Sequence, residues 1–69
     1  MVDEEVIRRF GQRVRFLRSA KGMSQEALAE AAGLDRTYVG GVERGERNLT
    51  LLSASKIAEG LGEPLGNLF

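Results

Sequence analysis

The side chains best equipped for chemistry lie between Gln25 and Asn48, and most are hydrogen-bond donors, not acids, bases or nucleophiles. Arg36 and Thr37 follow Asp35, a residue suited to start a helix because its carboxylate accepts from the helix's first free N–H groups. The two therefore sit in a first turn. An arginine there can donate two parallel bonds to guanine O6 and N7. A threonine can offer its hydroxyl to a base or phosphate and its methyl to a thymine methyl. Tyr38 could set its hydroxyl on a phosphate or cover the edge of the core. Gln25 opens another helix, whose N-terminus favours an anion. Arg44, Arg47 and Asn48 flank the exit from the second helix, where arginine suits a phosphate or a minor groove. The plainer reading of each is an ordinary solvated side chain. The other reading of the set is a surface for double-stranded DNA.

Other chemistries are poorly served. With no histidine and no cysteine, the commonest general base, the thiolate nucleophile and the usual zinc ligands are all missing. The glycines lack phosphate-loop spacing. No catalytic residue, metal, cofactor or small-molecule ligand is indicated, so the chain reads as no enzyme. Sixty-nine residues allow one domain, 1–69. Such a chain buries only about 60% of its unfolded surface, which makes its core thin. Basic and acidic residues balance at ten each, which argues against a strongly basic nucleic-acid binder. The distribution softens this. Asp3, Glu4 and Glu5 gather at the start, whereas Arg8, Arg9, Arg13, Arg15, Arg18 and Lys21 follow without an acid between Val6 and Met23. One face of a neutral protein can still be positive. No apolar run reaches the ~18 residues of a membrane span, and the acidic start is unlike a signal peptide. The expectation is a soluble, cytoplasmic protein.

Helices must position these donors. Helix 1 is expected over roughly residues 3–20, capped by Asp3, with Val6, Phe10, Val14 and Leu17 as its buried stripe. Gly22 is its expected C-cap. Ser24 caps helix 2, which runs to about Ala32. Gly33 supplies the turn, Leu34 enters the core and Asp35 starts helix 3, which ends at Glu43 or Arg44. Leu28, Ala29 and Ala32 should face Val39 and Val42, with Ala29 and Val39 meeting where the two helices cross. Thr50 caps helix 4, whose inner stripe is Leu51, Ala54, Ile57, Ala58 and Leu61. Pro64 suits the first turn of a short fifth helix. No alternating strand pattern is present.

On these residues, QEALAEAAGLDRTYVGGVER resembles the helix-turn-helix of the Cro- and repressor-like family, also called the xenobiotic-response-element family. The likeness extends from RFLRSAKG to SKIAEGLG, and LDRTYVGGVERGERN is similar to the controller proteins of restriction–modification systems. The resemblance implies an all-α, five-helix, lambda-repressor-like domain whose helices 2 and 3 form the motif. It implies phosphate contact by Gln25, base contact by Arg36 and Thr37, and a backbone-tracking loop at Arg44, Arg47 and Asn48. It also implies a structural ion pair between Arg18 and Glu43. Arg13 and Arg15 could add phosphate contacts or merely solubilise, and Glu46 should point away from phosphate.

Leu65, Leu68 and Phe69 are apolar enough either to cover the core or to meet a second subunit, as the last helices do in dimeric relatives. Leu52, early in helix 4, adds to the second reading. A homodimeric, sequence-specific transcriptional regulator acting on an inverted repeat is therefore expected, with a restriction–modification controller the leading specific reading. An antitoxin or phage-type repressor, and a protein-interaction module on the same fold, are the alternatives. Gly40 and Gly41 allow either a close approach of the helix backbone to DNA or to helix 2, or a tolerated weak helix end, and the pair leans toward the protein-interaction module. Together they weaken helix 3 by about 2 kcal/mol against alanine, and Gly41 has no side chain with which to read a base.

Overall fold

The structure, a computed structural model, describes residues 3–69. Four α-helices follow one another: α1 (Glu4–Ala20), α2 (Gln25–Ala32), α3 (Arg36–Glu43) and α4 (Leu51–Leu61). A 3₁₀ turn, Leu65–Leu68, completes the described chain. Short polar side chains start each α-helix. Asp3 accepts from Glu5 N at 2.7 Å, Ser24 from Ala27 N at 3.0 Å, and Asp35 from Thr37 N at 2.8 Å. Thr50 and Ser53 exchange bonds in a capping box. Each bond satisfies an N–H that the helix itself leaves without an acceptor.

The buried stripe of α1 is Ile7, Phe10, Val14 and Leu17. Val6, expected in it, is 39% exposed at the rim. A spacing of three, four and three serves a helix as well as four, four and three, and the core lies under Ile7. Gly22 does not occupy the C-cap of α1. Lys21 does, and Gly22 follows it with a φ of +69°. The helices pack around one another. α2 lies against α4, α1 lies against α3, and α2 crosses α3. Leu28, Ala29, Val39, Val42, Ile57, Ala58 and Leu61 join Phe10 and Val14 in one core.

Two expectations fail at the C-terminal side. Leu51, expected on the inner stripe of α4, is exposed. It occupies the helix's first position, beyond the reach of the core, and Leu49 packs there instead. The expected fifth helix is a single 3₁₀ turn preceded by Pro64 in an extended conformation. A turn of three residues sets Leu65 and Leu68 over one another, and both pack inward: Leu68 is wholly buried and Leu65 half-buried. Leu68, a candidate for the dimer surface, therefore belongs to the protomer's own core. Arg13 secures the turn by donating from Nε to Asn67 O at 2.8 Å.

Glu63 ties this end to α1. It accepts from Asn67 Nδ2 and lies 3.0 Å from Lys21 Nζ. First the Asn67 bond and then the Lys21 bond hold its carboxyl below the ordinary value. A carboxyl lowered on folding stabilises the native state above its unfolded pKa, and the contribution disappears as pH falls through the folded value. Wild type should therefore melt above Glu63→Gln at neutral pH, and the gap should close as pH falls through and below the ordinary carboxylate range. Melting curves of both proteins across that range check it.

Candidate nucleic-acid interface

Gly33, at a φ of +69°, turns the chain between α2 and α3, and Leu34 N–H closes the turn on Ala29 O at 2.9 Å. A residue with a Cβ is strained in that conformation. The turn brings the start of α2 beside the middle of α3. Built onto Gly40, a Cβ would lie 3.5 Å from Gln25 Oε1 and 3.2 Å from Arg44 Nη1. Gln25, Arg44 and the glycine face of α3 thus form one surface.

Arg36 and Thr37 occupy the first turn of α3, both exposed. Among the described residues, neither side chain has a hydrogen-bond or ionic partner. Gly40 and Arg44 lie one and two turns beyond Arg36, and Gly41 lies one turn beyond Thr37, which makes a single face. At the start of α2, the Gln25 and Glu26 N–H groups likewise find no acceptor among the described residues.

Other candidates are engaged within the protein. Tyr38 is half-buried against the core. Its hydroxyl donates to Asn48 O at 2.9 Å and lies 3.0 Å from Ser53 Oγ, so it fastens the loop after α3 to α4. The backbone of Asn48 is held by this contact, while its side chain is exposed. Gln25 donates from Nε2 to Glu43 Oε1 at 3.0 Å. An amide nitrogen carries two hydrogens, which leaves one for another acceptor. Arg44 donates from Nε to Glu46 at 2.9 Å, so Glu46, expected to point away, lies beside it. Arg47 is exposed and folds back over Gly41. The bonds of Tyr38 and Gln25 have no signal along the chain, because each depends on how distant segments meet in the fold.

Beneath this surface Arg18 and Glu43 meet in a two-bond fork, Nε to Oε2 at 2.6 Å and Nη2 to Oε1 at 3.0 Å. Arg18 also donates from Nη1 to Met23 O. Its bond to Glu43 raises the affinity of the guanidinium for its proton. The fork joins α1, the start of α2 and the end of α3.

At the far end, Phe69 is 69% exposed and its ring stands 5.1 Å from that of Phe10. A cleft lined by Val6, Arg9, Phe10, Arg13, Leu68 and Phe69 runs beside it. A second, lined by Val6, Leu49, Leu51, Ala54 and Phe69, continues toward the start of α4. Leu52 is 66% exposed nearby in sequence. No described helix is long and apolar enough to cross a membrane.

Comparison with known proteins places the surface in context. Residues 14–68 match the helix-turn-helix family. The control protein C.MunI of Mycoplasma sp. is 45% identical over 62 residues, covering 88% of this chain and 84% of that protein. The crystal structure of the restriction–modification controller protein C.AhdI from Aeromonas hydrophila superimposes with a TM-score of 0.89 at 56% identity, covering 91% and 96% of the two chains. The controller protein C.Esp1396I, solved as a tetramer on its natural 35-base-pair operator, matches with a TM-score of 0.83 at 41% identity over 86% of this chain and 78% of its own.

Proposed function

This chain belongs to the helix-turn-helix family, among the restriction–modification controller proteins, and we propose that it is a sequence-specific transcriptional regulator that binds an inverted-repeat operator. The family is one of regulators, not enzymes. The observation that carries the reading is the pair of unpartnered side chains, Arg36 and Thr37, on the exposed first turn of α3. In this reading α2 and α3 are the helix-turn-helix, and α3 enters the major groove. Arg36 donates to guanine, and Thr37 contacts a base or phosphate beside it. The free N–H groups at the start of α2, with the spare hydrogen of Gln25, take a phosphate. Arg44, Arg47 and Asn48 border the same groove. Tyr38 supports them from beneath, and DNA has to draw Arg44 away from Glu46.

The binding unit in this reading is a homodimer formed through Val6, Leu51, Leu52 and Phe69, with Leu65 at the edge. Its recognition helices stand ~34–36 Å apart, one duplex turn. C.Esp1396I occupies 35 base pairs as a tetramer. A duplex of that length has room for two such dimers, and the same arrangement is proposed here. Regulation follows from occupancy beside a promoter.

Selection of binding sites from random duplex DNA tests this directly. Wild type should enrich a two-fold symmetric site. Arg36→Ala should bind that site with a loss of ~1–3 kcal/mol and with relaxed preference at one base pair per half-site. Affinity should fall steeply with salt, because phosphate contact releases counterions. A folded wild type that enriches nothing, or binding indifferent to salt, would favour a protein-interaction module instead.

A further inference from the structure

Gly41 is buried, although it lies on the face of α3 that carries Thr37. Arg47 covers it. A Cβ built at position 41 would stand 2.6 Å from Arg47 Cγ, 2.9 Å from Nε and 3.2 Å from Cδ. These distances leave no room for a methyl group unless the arginine moves. The loop makes the contact possible. Gly45, at a φ of +73°, reverses the chain, and Glu46 N–H bonds to Gly41 O at 2.8 Å. Arg47 thereby returns over the helix that the chain has just left. Its apolar stem lies on bare helix backbone, and its charged head can remain in water, as long cationic side chains prefer. Among the described residues it has no ionic partner. Gly40 differs: its neighbours are the far ends of Arg44 and Gln25, and a Cβ would stay at least 3.2 Å from both.

We propose that Gly41 is a positioning residue for DNA binding: the missing Cβ seats the stem of Arg47, so that its guanidinium meets a phosphate from the Thr37 side of α3. The proposal rests on the DNA-binding reading above. Arg47 thus occupies the place on the recognition face that a side chain at position 41 would take. Its longer reach delivers a charge to the groove's edge, and a seated side chain has less freedom to lose on binding than one swinging from a loop.

The test uses the full chain and the duplex selected by wild type, with affinity read by fluorescence anisotropy over a range of salt. Arg47→Ala should weaken binding about tenfold, the size expected for a charge-assisted hydrogen bond, and lower the salt slope by about one. Gly41→Ala should produce the same two changes while keeping a cooperative melting transition: alanine favours the helix, and the Arg47 stem, a side chain and not backbone, has to move aside to admit it. The double variant should bind no worse than either single one. Unchanged affinity in Gly41→Ala overturns the proposal. So do additive losses in the double variant, because they would mean that the glycine backbone itself meets DNA. Should Gly41→Ala fail to fold, nuclear Overhauser contacts between Gly41 Hα and the Arg47 side chain in free wild type decide: their presence supports the seat and their absence removes it. Failure of wild type to select any duplex overturns the DNA reading together with the proposal, whereas a binding wild type with an insensitive Gly41→Ala overturns the proposal alone.

Discussion

Replacing Glu43 with alanine is expected to destabilise the fold by ~3–5 kcal/mol, the usual cost of removing one partner from a buried ion pair. Glu43 is only 8% exposed. Its carboxylate accepts two bonds from Arg18 and one from Gln25. The alanine variant would leave the guanidinium with Met23 O as its one remaining acceptor among the described residues. Arginine cannot relieve the strain by losing its proton. A domain of 69 residues has a total stability on the order of 3–10 kcal/mol, so the variant should be largely unfolded or melt at least ~12 °C lower. Thermal and urea unfolding measure the loss, and an unchanged midpoint would refute the role given to the pair. Glu43→Gln should fall between the two, because it retains hydrogen bonds but not the charge. Replacing both partners with apolar residues of similar volume should recover much of the loss, since breaking a buried pair costs more than removing it whole.

The second large effect is expected at Gly11. This glycine lies inside α1, where alanine would ordinarily add about 1 kcal/mol of stability. Here the sign reverses. An added Cβ would run into Val42 O and stand 3.0 Å from Glu43 O and 3.1 Å from Glu43 C. All three are backbone atoms of α3, so no rotamer change can relieve the contact. α1 and α3 would have to separate, loosening Val14 and Val42 and drawing Glu43 away from Arg18. Overpacking of this kind typically costs ~1–3 kcal/mol, and the broken fork adds to it. Gly11→Ala should lower the melting temperature by ~10 °C or more. A variant as stable as wild type would mean that the two helices are not in such close contact.

The features legible in the sequence were those set by neighbours along the chain. Ser24, Asp35 and Thr50 announce helix starts because a cap acts over two or three residues, and Gly33 announces a turn for the same reason. Ala29 and Val39 could be assigned to one core because both lie on short helices joined by three residues. What required the folded chain was set by distant neighbours. Val6 and Ile7 are equally good helix residues, and the core alone chooses Ile7. Leu51 and Leu68 are equally apolar; one lies beyond the core and the other is inside it. Gly11 and Gly41 are both glycines inside a helix, a placement that ordinarily only weakens it. One makes room for the backbone of α3 and the other for a side chain returning from a loop. At the candidate site, the exposure of Arg36 and Thr37 could be read because nothing folds over them. The bonds of Tyr38 and Gln25 could not, since their partners lie ten and eighteen residues away.

The fork between Arg18 and Glu43 has a thermodynamic consequence for recognition. By joining α1, the start of α2 and the end of α3, it fixes the angle between the two helices that would meet the duplex before any duplex arrives. Ordering entropy that a looser pair would surrender on association has already been lost in folding. Association would then carry the heat-capacity change of a rigid-body encounter, smaller than the one that accompanies folding on contact. Selectivity would reside in the rates of dissociation from different sequences, and the two helices of the free protein would already stand at the angle they present to the operator, with Arg44 left to turn from Glu46.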